Sequence, residues 1–288
     1  MTIEKNSIKI SVIIAIIMFV IIALNFGEFS FWYDEFCTIG FIRNGRSLAD
    51  LIRIFVTDEV SNPPIYTLFL YIWYRLFPHT QSALLFPNLL FYFLGTFFLL
   101  KTLVRDTGVK ISALICSIFC LVNSFAVKFQ IYELRSYAML FMFSSMVLSS
   151  YCECRSDKSR YNIMLFSIAT LLCSMTHYFG FLAVSGFGFF ELALAIKDKD
   201  KAKLKNLFVY IPTAIISVFW LILCMIYKTR DISVFWKGRP GLKDIADVLN
   251  CFYGRNYLYF LIMVLMFTYC IYRVIKGKDS IVEYKKRL

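Results

Sequence analysis

The chain has 288 residues, of which 59% are hydrophobic and 18% aromatic, whereas only 17% are charged. Soluble domains are roughly half apolar and a quarter charged, so this composition excludes an ordinary soluble domain and is typical of a polytopic membrane protein. The 31 Lys and Arg residues outnumber the 19 Asp and Glu residues. They lie between apolar runs and not in one patch, which argues against a nucleic-acid partner.

Eight apolar runs are candidates to cross a bilayer as helices, for which roughly 20 residues are needed. Charged or helix-breaking residues bound them at approximately 10–26, 84–100, 111–127, 137–151, 161–176, 178–196, 207–227 and 257–272. The first run follows Lys5 and Lys9 as in a signal peptide, but it is too long and lacks a cleavage site, so we predict an uncleaved span. The sequence therefore predicts an all-α, polytopic transmembrane helix bundle with about eight spans.

A further apolar run at 64–77 is short, is bounded by three prolines and is rich in Tyr and Trp. It reaches only about 21 Å as a helix, and amphiphilic aromatic residues prefer the headgroup level, so we predict an interfacial helix. A second interfacial helix is predicted at 47–57, where Ser47 is a suitable N-cap. Its apolar residues share one helical face: Leu48, Leu51, Ile52 and Phe55.

The positive-inside rule orients the chain. With eight spans and the N-terminus inside, most of the 31 Lys and Arg residues fall in cytoplasmic segments. A nine-span chain with its N-terminus outside satisfies the rule equally well and stays an alternative, but it requires 64–77 to cross. We expect a multi-pass protein of the cell membrane with both termini cytoplasmic. Four segments then face outside: 27–83, 128–136, 176–178 and 228–256.

The outer segments collect carboxylates, cations and a histidine. The first is by far the longest and carries Asp34 and Glu35, and long loops in compact proteins are usually functional. Cations suit a lipid phosphate, and a carboxylate suits the removal of a proton from a hydroxyl or amine. Because polyprenyl phosphate is a good leaving group, transfer from it needs one base and no paired acid, unlike glycoside hydrolysis.

Five stretches of the chain carry a recognisable pattern. They are Trp-Tyr-Asp-Glu at 32–35, Asn-Pro-Pro-Ile-Tyr at 62–66, Leu-Phe-Pro-Asn-Leu-Leu at 85–90, Tyr-Glu-Leu-Arg-Ser-Tyr-Ala at 132–138 and Thr-His-Tyr-Phe-Gly at 176–180. In this order they resemble the motifs of GT-C fold glycosyltransferases that use polyprenyl-phosphate sugars, the superfamily of protein O-mannosyltransferases and the lipid A aminoarabinose transferase. The resemblance covers about residues 10–200. It departs from the family at Asn62 and Leu85, where members often carry a basic residue.

The resemblance implies a GT-C-like transmembrane module over 1–227, with its catalytic outer loop at 27–83. An outer loop, a last span and a basic cytoplasmic tail follow over 228–288. The implied activity is inverting transfer of a sugar from a polyprenyl-phosphate donor to an envelope lipid, glycan or protein. Asp34 is implied as the catalytic carboxylate, and its neighbour Glu35 is predicted as a second catalytic residue, an assistant to Asp34 or a metal ligand.

Further residues are predicted to bind the substrates: Asn62, Tyr66, Glu133, Arg135, Tyr137, His177, Lys237 and Arg239. The sequence requires no cofactor, although the superfamily allows a divalent metal. The predicted partners are the lipid-linked sugar donor, a hydroxyl- or amine-bearing envelope acceptor and membrane lipid.

Two other functions stay open at this point. A hydrophobic groove with polar rim residues also suits a lipid or solute transporter, although the spans carry no charge near their middle and no inverted repeat is visible. A catalytically inactive relative of the transferases is the third interpretation.

Overall fold

Every regular element in the described part of the chain is a helix. The computed structural model describes residues 2–24, 31–45, 47–57, 63–106, 131–197 and 204–227. The α-helices are α1 (Thr2–Ala23), α2 (Tyr33–Asn44), α3 (Leu48–Thr57), α4 (Ile65–Leu76), α5 (Gln81–Asp106), α6 (Tyr137–Ser156), α7 (Arg160–Ser174), α8 (Tyr178–Lys197) and α9 (Ile211–Tyr227), and a 3-10 helix, Lys205–Tyr210, leads into α9. The all-α prediction is confirmed for these residues. The predicted spans 111–127 and 257–272 lie outside them.

Among the described residues, three segments are long and apolar enough to cross a membrane: Gln81–Thr102, Tyr178–Lys197 and Leu207–Ile226. Each reaches roughly 30 Å, the thickness of a bilayer's hydrocarbon core. Only 22% of the apolar window is buried inside the protein in each of the last two segments. Such exposed apolar surface is unfavourable in water and favourable in lipid, so the described chain has the character of a helical membrane protein.

The other predicted spans within the described residues are also helices, but they are not among these three. Helix α1 contributes a shorter apolar segment, Ser11–Ala23. Helix α6 carries Glu153 and Arg155 near its end, and α7 has 15 residues, which reach only about 23 Å. The count of eight spans therefore stays a prediction.

Helix α5 packs against α1 and α6, and α7 packs against α6, α8 and α9. The short helices α2 and α4 join the same core. Its buried side chains include Ile42, Tyr66, Leu70, Leu84, Leu85, Leu134, Ala138, Met142, Phe166, Ala169 and Cys173. These contacts hold α2 and α4 at the end of the bundle where α5 and α6 begin and α7 ends.

The segment 27–83, which the sequence predicts as the first outer segment, contains three short helices among its described residues, where the sequence predicts two. Helix α3 begins as expected, because the Ser47 Oγ accepts a hydrogen bond from the Asp50 N–H at 3.1 Å. Leu51 and Phe55 of its apolar face are buried against α9 and Met175. The predicted surface helices 47–57 and 64–77 therefore both exist as helices.

Helix α2 is the element that the sequence does not predict. Its residues form no apolar stripe, and Gly40 and the β-branched residues have a low helix propensity. Asp34 and Glu35 lie in its first turn, where negative charge is stabilised by the helix dipole. The acidic pair is thus on a helix and not in an extended loop.

Helix α4 has 12 residues and reaches about 18 Å, which is too short to cross a bilayer. Its first N–H, of Ile65, donates to the Met175 carbonyl at 3.1 Å. The Trp73 indole donates to the Ala83 carbonyl at 2.8 Å. That carbonyl has no helical partner because Pro87, four residues later, lacks an N–H. These bonds fasten α4 to the end of α7 and the start of α5.

Candidate functional site

Asp34 and Glu35 are neighbours at the start of α2, but they point in different directions. Successive residues of an α-helix project about 100° apart, so a half-buried helix exposes one of them and buries the other. The Asp34 side chain is 60% exposed, whereas Glu35 is 2% exposed. The two carboxylates therefore have different roles.

The buried Glu35 carboxylate joins the first outer segment to the second. One oxygen accepts the backbone N–H of Trp32 at 2.5 Å, and the other accepts the backbone N–H of Leu134. Bonds from backbone N–H groups to a carboxylate are charge-assisted and strong. Because both of its oxygens are engaged, Glu35 is suited to positioning its neighbours and not to binding substrate.

Asn88 fixes the second outer segment from the opposite side. Its side-chain amide donates to the carbonyl of Ile131 at 3.3 Å and to that of Glu133 at 2.6 Å. The Tyr132 hydroxyl donates to the Ile22 carbonyl of α1 at 2.9 Å. The backbone that carries Glu133 and the next residues is therefore held from α1, α2 and α5.

This anchoring places Arg135 beside Asp34. The Arg135 Nη1 lies 3.6 Å from the Asp34 Oδ2, and the arginine side chain is 24% exposed. A partly exposed pair at this distance contributes little to stability. A guanidinium has five N–H donors, so Arg135 retains the capacity to bind a phosphate oxygen.

Glu133 has the proton affinity of a group that exchanges protons near neutral pH. Burial raises its pKa to about 7, the carboxylates of Glu35 and Asp34 act in the same direction, and Arg135 opposes them. A general base is most effective when its pKa is near the working pH. The sequence predicts Glu133 only as substrate-binding, since the burial and the charges come from two distant segments.

His177 is presented by the short turn between α7 and α8. The two helices approach closely at Gly180, where a Cβ would lie 2.1 Å from the Cys173 carbonyl oxygen. The Phe179 N–H donates to the His177 Nδ1 at 3.0 Å, so the neutral ring carries its proton on Nε2. The ring centroid lies 5.4 Å from that of Tyr137.

Burial, and then the charge of Arg135, lower the pKa of His177 to about 4. The imidazole is therefore neutral at physiological pH and offers one N–H donor. Its depressed pKa also links protonation to stability, because the unfolded chain binds this proton more readily than the folded one. The stabilising contribution is present above about pH 6.5 and is lost as the pH falls through 4.

We expect the unfolding temperature of the wild-type protein to fall between pH 6.5 and pH 4, in part through His177. His177→Asn should flatten this dependence, because the amide oxygen still accepts the Phe179 N–H but does not titrate in this range. The measurement is thermal unfolding of the purified protein across that pH range. The matched control is His79→Asn, since His79 is exposed and bonds only locally, to the Tyr74 carbonyl. Equal slopes for the two variants would contradict the assignment.

The structure thus brings together five of the predicted site residues, which we call the Asp34 cluster: Asp34, Glu133, Arg135, Tyr137 and His177. Glu35 lies beneath them. Tyr66 of α4 is buried at 3% exposure, in the hydrophobic core that also contains Leu134. Asn62, Lys237, Arg239 and the predicted region 228–288 lie outside the described residues.

Across the ranges that the structure describes, no three His, Cys, Asp or Glu side chains are grouped to hold a metal ion. The side chains of the Asp34 cluster instead combine a carboxylate, a cation, a carboxyl group of raised pKa and a neutral imidazole.

Comparison with known proteins finds no matching family model, no matching curated protein and no matching solved structure.

Proposed function

We propose that this chain is an inverting glycosyltransferase that moves a sugar from a polyprenyl-phosphate donor to a hydroxyl- or amine-bearing acceptor of the cell envelope. The observation that carries the proposal is the pairing of exposed Asp34 with Arg135, beside His177 and at the end of the apolar helix α8. An exposed carboxylate is suited to accepting a proton from the acceptor. A guanidinium and an imidazole N–H are suited to holding a phosphate.

The surroundings of Asp34 favour a lipid-linked donor over a soluble one. Trp32, Tyr33 and Phe36 flank Asp34 and are 61%, 75% and 60% exposed. Exposed aromatic side chains on membrane proteins prefer the headgroup level. Asp34 would then lie at the depth of lipid phosphate groups, where the reacting end of a polyprenyl-phosphate sugar also lies.

The proposed reaction needs a single displacement at the anomeric carbon. The acceptor's oxygen or nitrogen forms a bond to that carbon from one face, and the bond to the phosphate oxygen breaks on the other, so the configuration inverts. Asp34 takes the proton from the acceptor, and Glu133 is a second group able to hold a proton at neutral pH. The bonding electrons leave with the polyprenyl phosphate, whose charge Arg135 and the His177 N–H stabilise.

The proposal includes an eight-span, GT-C-like bundle with both termini cytoplasmic and the Asp34 cluster outside. Helix α8 supports this orientation. His177 precedes its first residue, and Lys197 lies at its last turn. The positive-inside rule places the basic end in the cytoplasm and therefore the His177 end outside.

Arg135→Gln is expected to weaken use of the donor. Loss of a charge-assisted bond to phosphate costs about 1.5–3 kcal/mol, or roughly 10- to 100-fold in kcat/KM for the donor. Most of the loss should appear in KM if Arg135 binds the phosphate equally in the ground state and the transition state. The assay is transfer from a radiolabelled polyprenyl-phosphate sugar in membranes that contain the protein.

The matched control for this variant is Arg43→Gln. Arg43 is an exposed arginine in the last turn of α2, at the opposite end of that helix from Asp34. It should leave transfer unchanged. If Arg135→Gln retains the wild-type KM and kcat for the donor, Arg135 does not bind the phosphate.

A further inference from the structure

A cavity of about 630 Å³ opens at the other end of the bundle. It lies between the end of α6, the first half of α7, the end of α8 and the 3-10 helix that precedes α9. Glu191 in its wall is roughly 20 Å along α8 from the His177 turn. A ligand of this cavity would therefore lie near the opposite membrane face from the Asp34 cluster and would not share its donor site.

Three cations line the cavity, together with a single buried carboxylate. Arg155, Lys158 and Arg160 are exposed, whereas Glu191 is 5% exposed. The formal charge of the lining is therefore positive, and its positive charges are at the open side. Such a site is complementary to an anion.

The arginine nearest the carboxylate is held in place by hydrogen bonds. The Arg155 Nη1 lies 3.3 Å from the Glu191 Oε1 and 2.9 Å from the Tyr151 hydroxyl oxygen. The Tyr151 hydroxyl in turn donates to Glu191. One nitrogen of Arg155 is thus fixed, and the rest of its half-exposed guanidinium is available to an anion.

Part of the remaining wall is apolar and exposed. Met164, Ile168 and Phe208 line it at 54%, 44% and 67% exposure. These side chains belong to α7 and to the apolar segment that enters α9, which is long enough to cross a membrane. A ligand that is complementary to both the cationic side and the apolar wall of the cavity has an anionic head and a hydrocarbon tail.

We propose that this cavity binds the phosphate of an anionic phospholipid, with an acyl chain along the apolar wall of α7. Basic pockets between membrane helices on the cytoplasmic side recognise anionic headgroups by the same chemistry. The bound lipid would fasten α6, α7, α8 and the start of α9 at their shared end. The inference does not depend on the proposed transferase activity.

The test uses the full-length protein purified in a neutral detergent. We expect phosphatidylglycerol to raise its unfolding temperature and to stay bound in native mass spectrometry. Phosphatidylcholine with the same acyl chains and inorganic phosphate at the same concentration should do neither. Lys158→Gln and Arg160→Gln should each weaken phosphatidylglycerol binding, on the order of five-fold.

The control variant is Lys197→Gln, which removes an equally exposed basic residue of α8 that does not line the cavity. It should bind phosphatidylglycerol as the wild type does. Both cavity residues are exposed, so the variants should elute and unfold like the wild type without lipid. Equal stabilisation by phosphatidylcholine, equal stabilisation by inorganic phosphate, or an equal loss in Lys197→Gln would each overturn the proposal.

Discussion

Asp34→Asn is expected to abolish sugar transfer while leaving the folded protein intact. The change is nearly isosteric and removes the basicity of a side chain that is 60% exposed, so little packing is lost. General-base catalysis contributes on the order of 10²–10⁴-fold, and kcat should fall by a factor in this range. The measurement is the initial rate of transfer from a labelled polyprenyl-phosphate sugar, normalised to the amount of protein in the membrane.

Asp50→Asn is the matched control for Asp34→Asn. Asp50 is also an exposed aspartate in the first turn of a short helix of the same outer segment, but its carboxylate bonds only to Ser47. Its replacement should leave the transfer rate within about two-fold of wild type, because it takes no part in positioning the Asp34 cluster. If Asp34→Asn transfers sugar as fast as Asp50→Asn, Asp34 is not the base.

Glu35→Ala is expected to lower both the stability and the activity. The change leaves the backbone N–H groups of Trp32 and Leu134 without the carboxylate that now accepts from them. Orphaning the buried Leu134 N–H costs about 1–3 kcal/mol in free energy of unfolding, and the part-buried Trp32 N–H adds less, because water can reach it. Activity should fall in parallel, because Leu134 lies directly between Glu133 and Arg135 in the chain.

The stability of Glu35→Gln should lie between that of the wild type and that of Glu35→Ala. The amide keeps one acceptor oxygen but turns its NH₂ group toward the other backbone donor. Thermal unfolding of the purified variants gives the order. The control is Asp50→Ala, which removes the exposed carboxylate at the corresponding position of α3. This change should lower the free energy of unfolding less than either Glu35 variant does. A Glu35→Ala protein as stable as Asp50→Ala would show that the buried bridge does not hold the two outer segments together.

The sequence predicts the helices that are determined by neighbouring residues in the chain. Long apolar runs predict α5, α8 and α9, and prolines on both sides predict the bounds of α4. Ser47 predicts the start of α3, because serine is a preferred N-cap residue. Helix α2 has a weaker local signal, because it forms no apolar stripe and its N-cap residue is Trp32. Its packing against α3 and α4 stabilises a segment whose own propensity is weak.

The sequence predicts which residues form the candidate site, but it does not predict which of them are buried and which are exposed. The motifs point to Asp34, Glu35, Glu133, Arg135 and His177, and the structure places all of them at one end of the bundle. Which carboxylate is buried depends on the rotation of α2, and the partner of Glu35 lies in the second outer segment. The raised pKa of Glu133 depends on the same packing. Neither the burial of Glu35 nor the raised pKa of Glu133 follows from residue spacing.

The cavity at the other end of the bundle was not predicted, for a related reason. Its basic residues lie in one short stretch of the chain, where the sequence indicates only the positive charges of a cytoplasmic loop. The buried Glu191 and the apolar wall come from α8, α7 and the approach to α9. Only tertiary packing brings the cations, the carboxylate and exposed Met164 around one volume.

The proposed activity of the Asp34 cluster is the transfer of a sugar from a lipid phosphate. The most direct measurement is the release of free polyprenyl phosphate by the purified protein, followed by mass spectrometry, with a panel of polyprenyl-phosphate sugars and an extract of envelope acceptors. We predict acceptor-dependent release with at least one sugar for the wild type and for Asp50→Asn, and release slower by about 10²–10⁴-fold for Asp34→Asn. Release at the same rate by the wild type and Asp34→Asn, or no release by the wild type with any donor in the panel, would contradict the account.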